Sequence, residues 1–184
     1  MSTLEAIAEE ILTHRPCDSE PCMTCTHLVP GEGNPRAALM VVGEAPGRQE
    51  DEQGRPFVGA AGRLLGTLLE EIGLARDDVF ITNVLKARPP GNRNPRRAEV
   101  EHHRPWLEAQ LEAVQPRLVV LLGKHALDAL VPGHKITQVH GRPLEGPDGR
   151  SYFPSLHPAA ALRTPPLRAT MREDFARIRA ALGV

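Results

Sequence analysis

Residues 38–59 read ALMVVGEAPGRQEDEQGRPFVG, and the rest of the chain is organised around this stretch. It opens with an apolar run, residues 38–42, that has the length and composition of a buried strand, and a leucine-rich helical pattern follows from about residue 60. The loop of residues 43–59 therefore joins a strand to a helix. In an open parallel sheet such a loop lies at the carboxyl edge of the strands, where ligands bind. We therefore expect a functional site in this loop.

The side chains of this loop argue against a dedicated phosphate-binding site. Carboxylates crowd it, at Glu44, Glu50, Asp51 and Glu52. Phe57 is one of four phenylalanines in the chain, and it follows a proline in a loop that would normally be polar. Phe57 either packs the loop onto the core or presents an aromatic face to a ligand, and the residue type alone favours neither.

Length and composition predict one globular domain, residues 1–184. The chain has 41% hydrophobic and 24% charged residues, which is ordinary for a soluble protein that buries a proper core. The N-terminal segment is acidic and amphipathic, unlike a signal peptide, and no apolar run is long enough to cross a bilayer. We therefore predict a cytoplasmic monomer with no membrane partner.

The net charge of −1 hides an asymmetry along the chain. Residues 1–54 hold 10 acidic and 3 basic side chains, whereas residues 55–184 hold 13 acidic and 19 basic ones. Most of the basic residues are arginines, whose planar guanidinium can bind two phosphate oxygens. A basic face that binds nucleic acid is one interpretation, and a simple bias toward solvated arginine is the other.

Hydrophobic periodicity predicts strands that alternate with helices. Helical spacing is found in residues 3–14, 60–72, 100–114, 124–130 and 171–182, and short apolar runs typical of strands are found in residues 38–42, 79–83, 117–122 and 152–156. Residues 136–139 resemble a weak strand or turn, and residues 141–150 a surface hairpin or loop. The pattern predicts a three-layer α/β/α sandwich around a mostly parallel sheet of about four strands.

Three strand ends present polar or aromatic side chains to the same edge of this sheet. They are the loop from Glu44 to Phe57, then Asn83, and then His157. An aromatic face can stack on a flat heterocycle, an Asn side chain can offer it a donor and an acceptor, and a His can donate to a developing anion. The alternatives are a turn residue at Asn83 and a structural loop histidine at His157.

The same residues carry a resemblance to a known family. Residues 43–47 (GEAPG) together with 54–59 (GRPFVG), then Asn83, then residues 157–159 (HPA), are similar to the motifs of the family 4 uracil-DNA glycosylases, in order and spacing from about Cys22 to Arg163. The resemblance implies excision of uracil from DNA by hydrolysis of the N-glycosidic bond. It also implies that Gly43 and Phe57 bind the flipped uracil, that Asn83 reads its polar edge, and that His157 contacts its O2 oxygen.

The resemblance does not identify the carboxylate that positions the attacking water. In the family 1 glycosylases a related motif carries an aspartate where this chain has Ala45. Glu44 and Glu50 are the candidates for that catalytic role. We expect Asp51 and Glu52 to be solvated.

DNA contacts are expected on two segments. The resemblance and the charge excess place phosphate-binding side chains at Lys86, Arg88, Arg93, Arg96 and Arg97. Leu162 and Arg163 follow the histidine motif, where such enzymes insert a side chain into the vacated base stack. The alternative for Leu162 is a core position. The expected partner is uracil-containing DNA.

The chain departs from the family at the metal site. Family 4 enzymes hold a 4Fe–4S cluster with four cysteines, of which Cys22 and Cys25 match two. The third position is Ala87 and the fourth is His103, so four thiolates are not available. Cys17 and His103 are possible substitute ligands beside Cys22 and Cys25, for an iron–sulfur cluster or zinc. The alternative is that the thiols remain only as small buried side chains.

Two other functions compete with uracil excision. One is a protein that binds uracil-containing DNA without catalysis or traps it covalently, although relatives that trap carry a histidine in the basic loop and residues 86–95 contain none. The other is an α/β nucleotide hydrolase, for which we expect a clearer metal or nucleophile set. A glycosylase with a wider range of deaminated bases also fits the motifs.

Overall fold

The computed structural model describes residues 3–14 and 19–183. At its centre lies a sheet with the strand order β1-β3-β2-β4-β6-β5. The strands are β1 Glu32–Gly33, β2 Leu39–Gly43, β3 Phe80–Asn83, β4 Leu118–Leu122, β5 Leu144–Glu145 and β6 Ser151–Ser155. The four inner strands are parallel, and β1 and β5 pair antiparallel at the two edges. The prediction of about four strands was therefore two short, because a strand of two residues has no alternation to detect.

Helices cover both faces of the sheet, as predicted. They are α1 Leu4–Thr13, α2 Glu20–Thr24, α3 Arg48–Gln53, α4 Ala60–Glu71, α5 Arg97–Val114, α6 Lys124–Leu130, α7 Ile136–Val139, α8 Pro158–Arg163 and α9 Leu167–Leu182. Helices α4, α8 and α9 pack on one face, and α5 and α6 pack on the other. The three-layer α/β/α sandwich is confirmed.

Strand β2 is buried along its whole length because both of its faces meet a helix layer. Leu39 and Val41 contact the α4 and α9 layer, whereas Met40 and Val42 contact the α5 and α6 layer. A strand with two buried faces appears in sequence as a continuous apolar run. This explains why the strand that precedes the loop of residues 43–59 is apolar throughout.

A third, smaller group of apolar side chains lies where α1 and α2 meet α5. This N-terminal cluster contains Ile7, Ile11, Cys22, Cys25, Leu28, Ala87 and Trp106. It packs beside the sandwich instead of on the sheet. Cys22 and Cys25, with His103 beside them, thus belong to a part of the molecule distinct from the strand ends.

Two further expectations were tested by the structure. Residues 136–139 form a helical turn, α7, and not a weak strand, while residues 141–150 do lead through β5 into the hairpin with β6. In the part of the chain that the structure describes, no helix has the length and apolar character needed to cross a membrane.

Candidate active site

Parallel pairing brings the ends of four strands to one edge of the sheet. Gly43 at the end of β2 lies beside Asn83 at the end of β3, and Leu122 at the end of β4 lies beside Ser155 at the end of β6. The loops that follow enclose a cavity of about 170 Å³. Its lining contains Ala45, Gly47, Glu50, Phe57, Ala61, Asn83, His157 and Ala159. Phe57, Asn83 and His157 thus share one pocket.

Gly43 has to be glycine because two pocket residues press on its α-carbon. A Cβ atom at this position would lie 2.5 Å from Asn83 Oδ1 and 2.5 Å from Phe57 Cζ. A Cβ atom essentially never lies within 3.0 Å of a heavy atom to which it is not bonded. The absence of a side chain at Gly43 therefore lets the phenyl ring and the amide approach each other.

The Phe57 ring is buried and lies near the imidazole of His157. The two ring centroids are 5.9 Å apart, with 30° between the ring planes. Phe57 also contacts the apolar side chains between the sheet and α4. Phe57 therefore packs onto the core and also lines the pocket, and its stacking on a ligand stays a prediction.

Asn83 is 1% exposed, and its Oδ1 accepts no hydrogen bond from any residue that the structure describes. A buried acceptor without a donor costs roughly 1–3 kcal/mol. Because Asn83 lines the cavity, a ligand with an N–H group at its edge can satisfy this oxygen. The pocket therefore offers an acceptor that the protein itself leaves unpaired.

His157 is held as a neutral hydrogen-bond donor. It is the N-cap residue of α8, and its Nδ1 accepts from the N–H of Ala159 at 3.1 Å, which places the ring proton on Nε2. Burial, helped by the nearby charges of Arg163 and His125 and opposed by Glu50, lowers the pKa of His157 to about 4. The imidazole is therefore uncharged at neutral pH.

Of the two candidate carboxylates, Glu50 lines the pocket, whereas Glu44 is not among the lining residues. Glu50 Oε1 accepts from the N–H groups of Val58 and Gly59 at 2.9 and 2.8 Å, at the start of α4. These bonds fix the carboxylate and leave Oε2 beside the pocket residue Gly47. Glu44 lies 3.8 Å from His125 Nε2, and burial raises its pKa against the opposing charges of His125 and Arg163.

The expectation that Asp51 is solvated was wrong. Asp51 is buried, and its Oδ1 accepts from the N–H groups of Thr26 and His27 at 2.7 and 3.0 Å. The carboxylate thus fastens α3 to the segment that follows α2. Glu52 is exposed, as expected, and pairs with Arg48.

The expectation that Lys86 contacts phosphate was also wrong, because its side chain is fully buried. Its Nζ donates to Thr82 Oγ1, to Asn83 O and to Gln110 Oε1, each at 2.7 Å. Burial lowers the pKa of Lys86 well below its usual range. The residue fastens the end of β3 to α5 and cannot reach DNA.

The arginines of the basic loop differ in how much of each guanidinium is free for DNA. Arg88 donates to Asn92 and lies 3.8 Å from Asp51, and Arg93 donates to Glu99 at 3.0 Å and to Glu20 at 2.9 Å. Arg96 also pairs with Glu20 but is mostly exposed. Arg97 is 92% exposed and makes an i,i+4 pair with Glu101.

Leu162 and Arg163, which follow the histidine motif, have positions compatible with a DNA contact. Leu162 in α8 is partly exposed and lies outside the three apolar clusters of the described chain. Arg163 in the last turn of α8 is exposed. Both lie on the short helix that His157 caps, so both are close to the pocket.

The metal-binding positions come together only in part. Cys17 lies outside the described residues. Cys22 Sγ is 3.5 Å from His103 Nε2, and one ligand atom each from Cys22, His102 and His103 lie within 4.8 Å of one another. Cys25 is buried nearby, and its thiol donates to the Cys22 carbonyl at 3.6 Å. His102 is a member of this group that the sequence did not indicate.

The residues present do not fit a four-thiolate cluster. Ala87 supplies only a methyl group, which packs in the N-terminal cluster. His103 Nδ1 accepts from the N–H of Lys86 at 3.0 Å, so the ring proton lies on Nε2 and points toward Cys22 Sγ. Burial lowers the pKa of His103 to about 3, with the positive charges of His102, Lys86 and His14 acting in the same direction. In this arrangement Nε2 is a donor to sulfur and not a metal ligand.

Comparison with known proteins agrees with this architecture. The model of the uracil DNA glycosylase superfamily matches residues 30–182, which include the pocket loops. The chain is 44% identical to the type-4 uracil-DNA glycosylase of Sulfurisphaera tokodaii, over 97% of this chain and 84% of that protein. It is 44% identical to the type-4 enzyme of Archaeoglobus fulgidus (97% and 92%) and 41% identical to that of Thermotoga maritima (94% and 91%). The chain therefore belongs to the uracil DNA glycosylase superfamily.

Proposed function

We propose that this protein is a uracil-DNA glycosylase, which hydrolyses the N-glycosidic bond of deoxyuridine in DNA. The observation that carries the proposal is the unpaired Oδ1 of Asn83 in the pocket. Uracil presents an N–H between two carbonyl oxygens, so Asn83 Oδ1 accepts from N3–H while Nδ2 donates to a flanking oxygen. Cytosine presents an acceptor at N3 and an amino donor beside it, which oppose the same side chain. Discrimination by mismatched buried polar groups of this kind is strong.

Bond cleavage leaves negative charge on the departing uracil, and His157 is the group to stabilise it. The neutral imidazole donates through Nε2–H to O2 without needing an external proton. A pre-positioned donor of this kind contributes roughly 3 kcal/mol to transition-state stabilisation. Phe57 stacks on the flipped base, and Gly43 allows the base to approach the backbone.

Glu50 is the carboxylate that handles water or balances the oxocarbenium-like sugar. Its Oε1 is held by two backbone donors, so Oε2 carries this role with little loss of side-chain freedom. Glu44 lies beside His125, so we assign it to the rim of the site and not to the position of the attacking water.

Phosphates flanking the extruded nucleotide are contacted by Arg96, Arg97 and Arg163, whose side chains are the most exposed of the predicted set. Arg88 and Arg93 contribute mainly by shaping the loop through their ion pairs. Leu162 enters the stack in place of the base. One chain supplies every residue that lines the pocket, which supports action as a monomer. The cytoplasm is proposed as its location on the ground of the DNA substrate alone.

Catalysis in this proposal requires no metal, because none of the residues that line the pocket belongs to the N-terminal cluster. The contact between Cys22 and His103 takes the structural place of a metal centre. Zinc bound by Cys22, His102 and His103 is the competing assignment, and it requires His103 to lose the hydrogen bond from Lys86.

The test uses labelled oligonucleotides that differ only in one base, uracil, cytosine, thymine or hypoxanthine, in single and double strands. Abasic sites are cleaved with alkali after incubation. We expect release of uracil and retention of cytosine, with Glu52→Gln as an exposed control in the same loop. Thymine, which presents the same edge as uracil, and hypoxanthine measure the range of bases that the pocket accepts. Binding of uracil-containing DNA without cleavage, or a complex that survives denaturation, would overturn the proposal in favour of a binding or trapping protein. Zinc or iron in stoichiometric amount would overturn the metal-free assignment.

A further inference from the structure

We infer that Arg76, which lies outside the family motifs, is a positioning residue that holds the stacking ring of Phe57 in place. The functional consequence of this inference rests on the proposed glycosylase activity. The geometric part does not, and it is tested separately below.

Phe57 adopts a backbone conformation that an aromatic residue normally avoids. Its φ angle is +50°, in the left-handed region. For residues with a Cβ this region is sparsely populated, and it costs on the order of 1–3 kcal/mol. A bulky residue keeps such a conformation only when its surroundings impose it. The neighbours of residues 56 and 57 must therefore supply that constraint.

The guanidinium of Arg76 contacts the two consecutive carbonyl groups of this segment. Arg76 Nη1 donates to Phe57 O at 3.0 Å, and Nη2 donates to Pro56 O. The rigid, planar fork of arginine suits two acceptors at a fixed spacing. These bonds fix the peptide planes on either side of the Phe57 α-carbon, and hence the direction of its ring.

Glu32 in β1 anchors the guanidinium from the other side. Glu32 Oε1 accepts from Arg76 Nε at 3.0 Å, and Arg55 donates to both oxygens of the same carboxylate at 2.7 and 3.0 Å. Burial opposes ionisation of Glu32, but hydrogen bonds from the two arginines outweigh it and lower the pKa of the carboxyl. Glu32 and Arg76 are about a quarter exposed, so their pairing contributes little to the free energy of unfolding. Its effect is on geometry.

Helix α4 closes the remaining side of the segment. A Cβ atom at Gly62 would lie 1.8 Å from Phe57 O, so the helix backbone packs directly against this carbonyl. The phenyl ring in turn lies against the α-carbon of Gly43. Arg76 is the part of this enclosure that a substitution can remove without introducing a clash.

Loss of Arg76 is expected to let residue 57 relax toward negative φ and turn its ring out of the pocket. A stacking partner that must be ordered on binding costs affinity and misplaces the base. Arg76→Met should lower kcat/KM on uracil-containing DNA by on the order of 10-fold or more. Arg76→Lys keeps the charge but cannot span both carbonyls, so it should rescue only part of the loss. Arg55→Met is the matched control, since it removes the other arginine of Glu32.

Two measurements decide the inference. Hydrogen exchange of the backbone amides of residues 57–59 should rise in Arg76→Met and stay at the wild-type level in Arg55→Met, whatever the enzyme acts on. In a double-mutant cycle on kcat/KM, Arg76→Met should cause no further loss once Phe57→Ala is present.

Unchanged exchange in Arg76→Met, a purely additive cycle, or equal effects of Arg76→Met and Arg55→Met would overturn the inference. A wild-type protein that releases no uracil, with exchange rising as expected, would overturn only the proposed function. If Arg76→Met does not fold, the exchange of Arg76→Lys answers the same question.

Discussion

Asn83 combines two properties that a protein side chain rarely combines, complete burial and an amide oxygen without a donor in the described structure. The free energy lost in this way is recovered when the ligand binds. A residue selected for folding alone would have found a partner. The conflict between stability and function at this one residue leads to a prediction about both.

Asn83→Ala should lower the single-turnover rate of uracil release by on the order of 10²-fold, because the contact to the base is lost. The midpoint of thermal unfolding should stay the same or rise, since an unsatisfied buried acceptor is removed. Ile81→Ala, in the same strand, is the control for the cost of an ordinary cavity. A drop in unfolding midpoint equal to that of Ile81→Ala, or an unchanged rate, would contradict this account.

His157 makes a second prediction at this scale, on the pH dependence of stability. Its ordinary pKa is 6.5 and its pKa in the folded protein is about 4, so between these values the unfolded chain binds a proton that the folded chain does not. The free energy of unfolding should therefore fall as the pH is lowered from about 6.5 to 4. Urea unfolding at several pH values should show a smaller fall for His157→Gln than for the wild type. Equal slopes for the two proteins would refute the assignment.

Among the elements, those with strong periodicity could be predicted from the sequence and those defined by tertiary contacts could not. The four parallel strands are apolar runs because both of their faces are buried, and the helices α4, α5 and α9 show clear stripes. The two-residue strands β1 and β5 exist only through pairing with β3 and β6.

The candidate site followed the same rule. Phe57, Asn83 and His157 could be placed in one pocket because strand ends share an edge. The burial of Lys86 and Asp51 could not be predicted. A charged residue in a loop is normally exposed, and only the folded chain supplies the buried partners of these two side chains. Arg76 was missed because it lies 19 residues from the carbonyl group that it holds, outside every motif.

Lys86 leads to a prediction about how β3 is fastened to α5. Lys86→Met should lower the free energy of unfolding by on the order of 3 kcal/mol, since it removes three buried hydrogen bonds, to Thr82, Asn83 and Gln110. Arg97→Met should leave stability unchanged and weaken DNA binding in a salt-dependent manner. Chemical denaturation and binding at several salt concentrations separate the two effects. If Lys86→Met is as stable as the wild type and its DNA binding depends less on salt concentration, Lys86 contacts phosphate after all and the buried role assigned to it is wrong.

At the scale of the whole molecule, the pocket and the N-terminal cluster are separate units joined through Lys86. The backbone N–H of Lys86 donates to His103, and its Nζ donates to the carbonyl of Asn83. The N-terminal cluster can therefore change its chemistry while the pocket keeps its own. This separation explains how the positions of a family metal site differ here without loss of the pocket residues.

This separation predicts that a four-thiolate site can be rebuilt. The double variant Ala87→Cys, His103→Cys, produced with iron and without oxygen, should gain the visible absorption of an iron–sulfur centre that the wild type lacks. The single variant Ala87→Cys is the control, because His103 still donates to Cys22. A colourless double variant, or a wild type with the same absorption, would contradict the proposed replacement of the cluster.

The hydrogen bond from His103 to Cys22 bears on whether the protein depends on iron and on how it withstands oxidants in the cell. On the metal-free assignment proposed above, the fold is complete as soon as the chain is synthesised, with no dependence on iron supply or on cofactor-assembly machinery. On the same assignment, oxidants that release iron from exposed clusters would have nothing to release from this protein. On the proposed function, base-excision capacity would then persist under the oxidative conditions in which damaged bases accumulate and metal-dependent repair enzymes are lost.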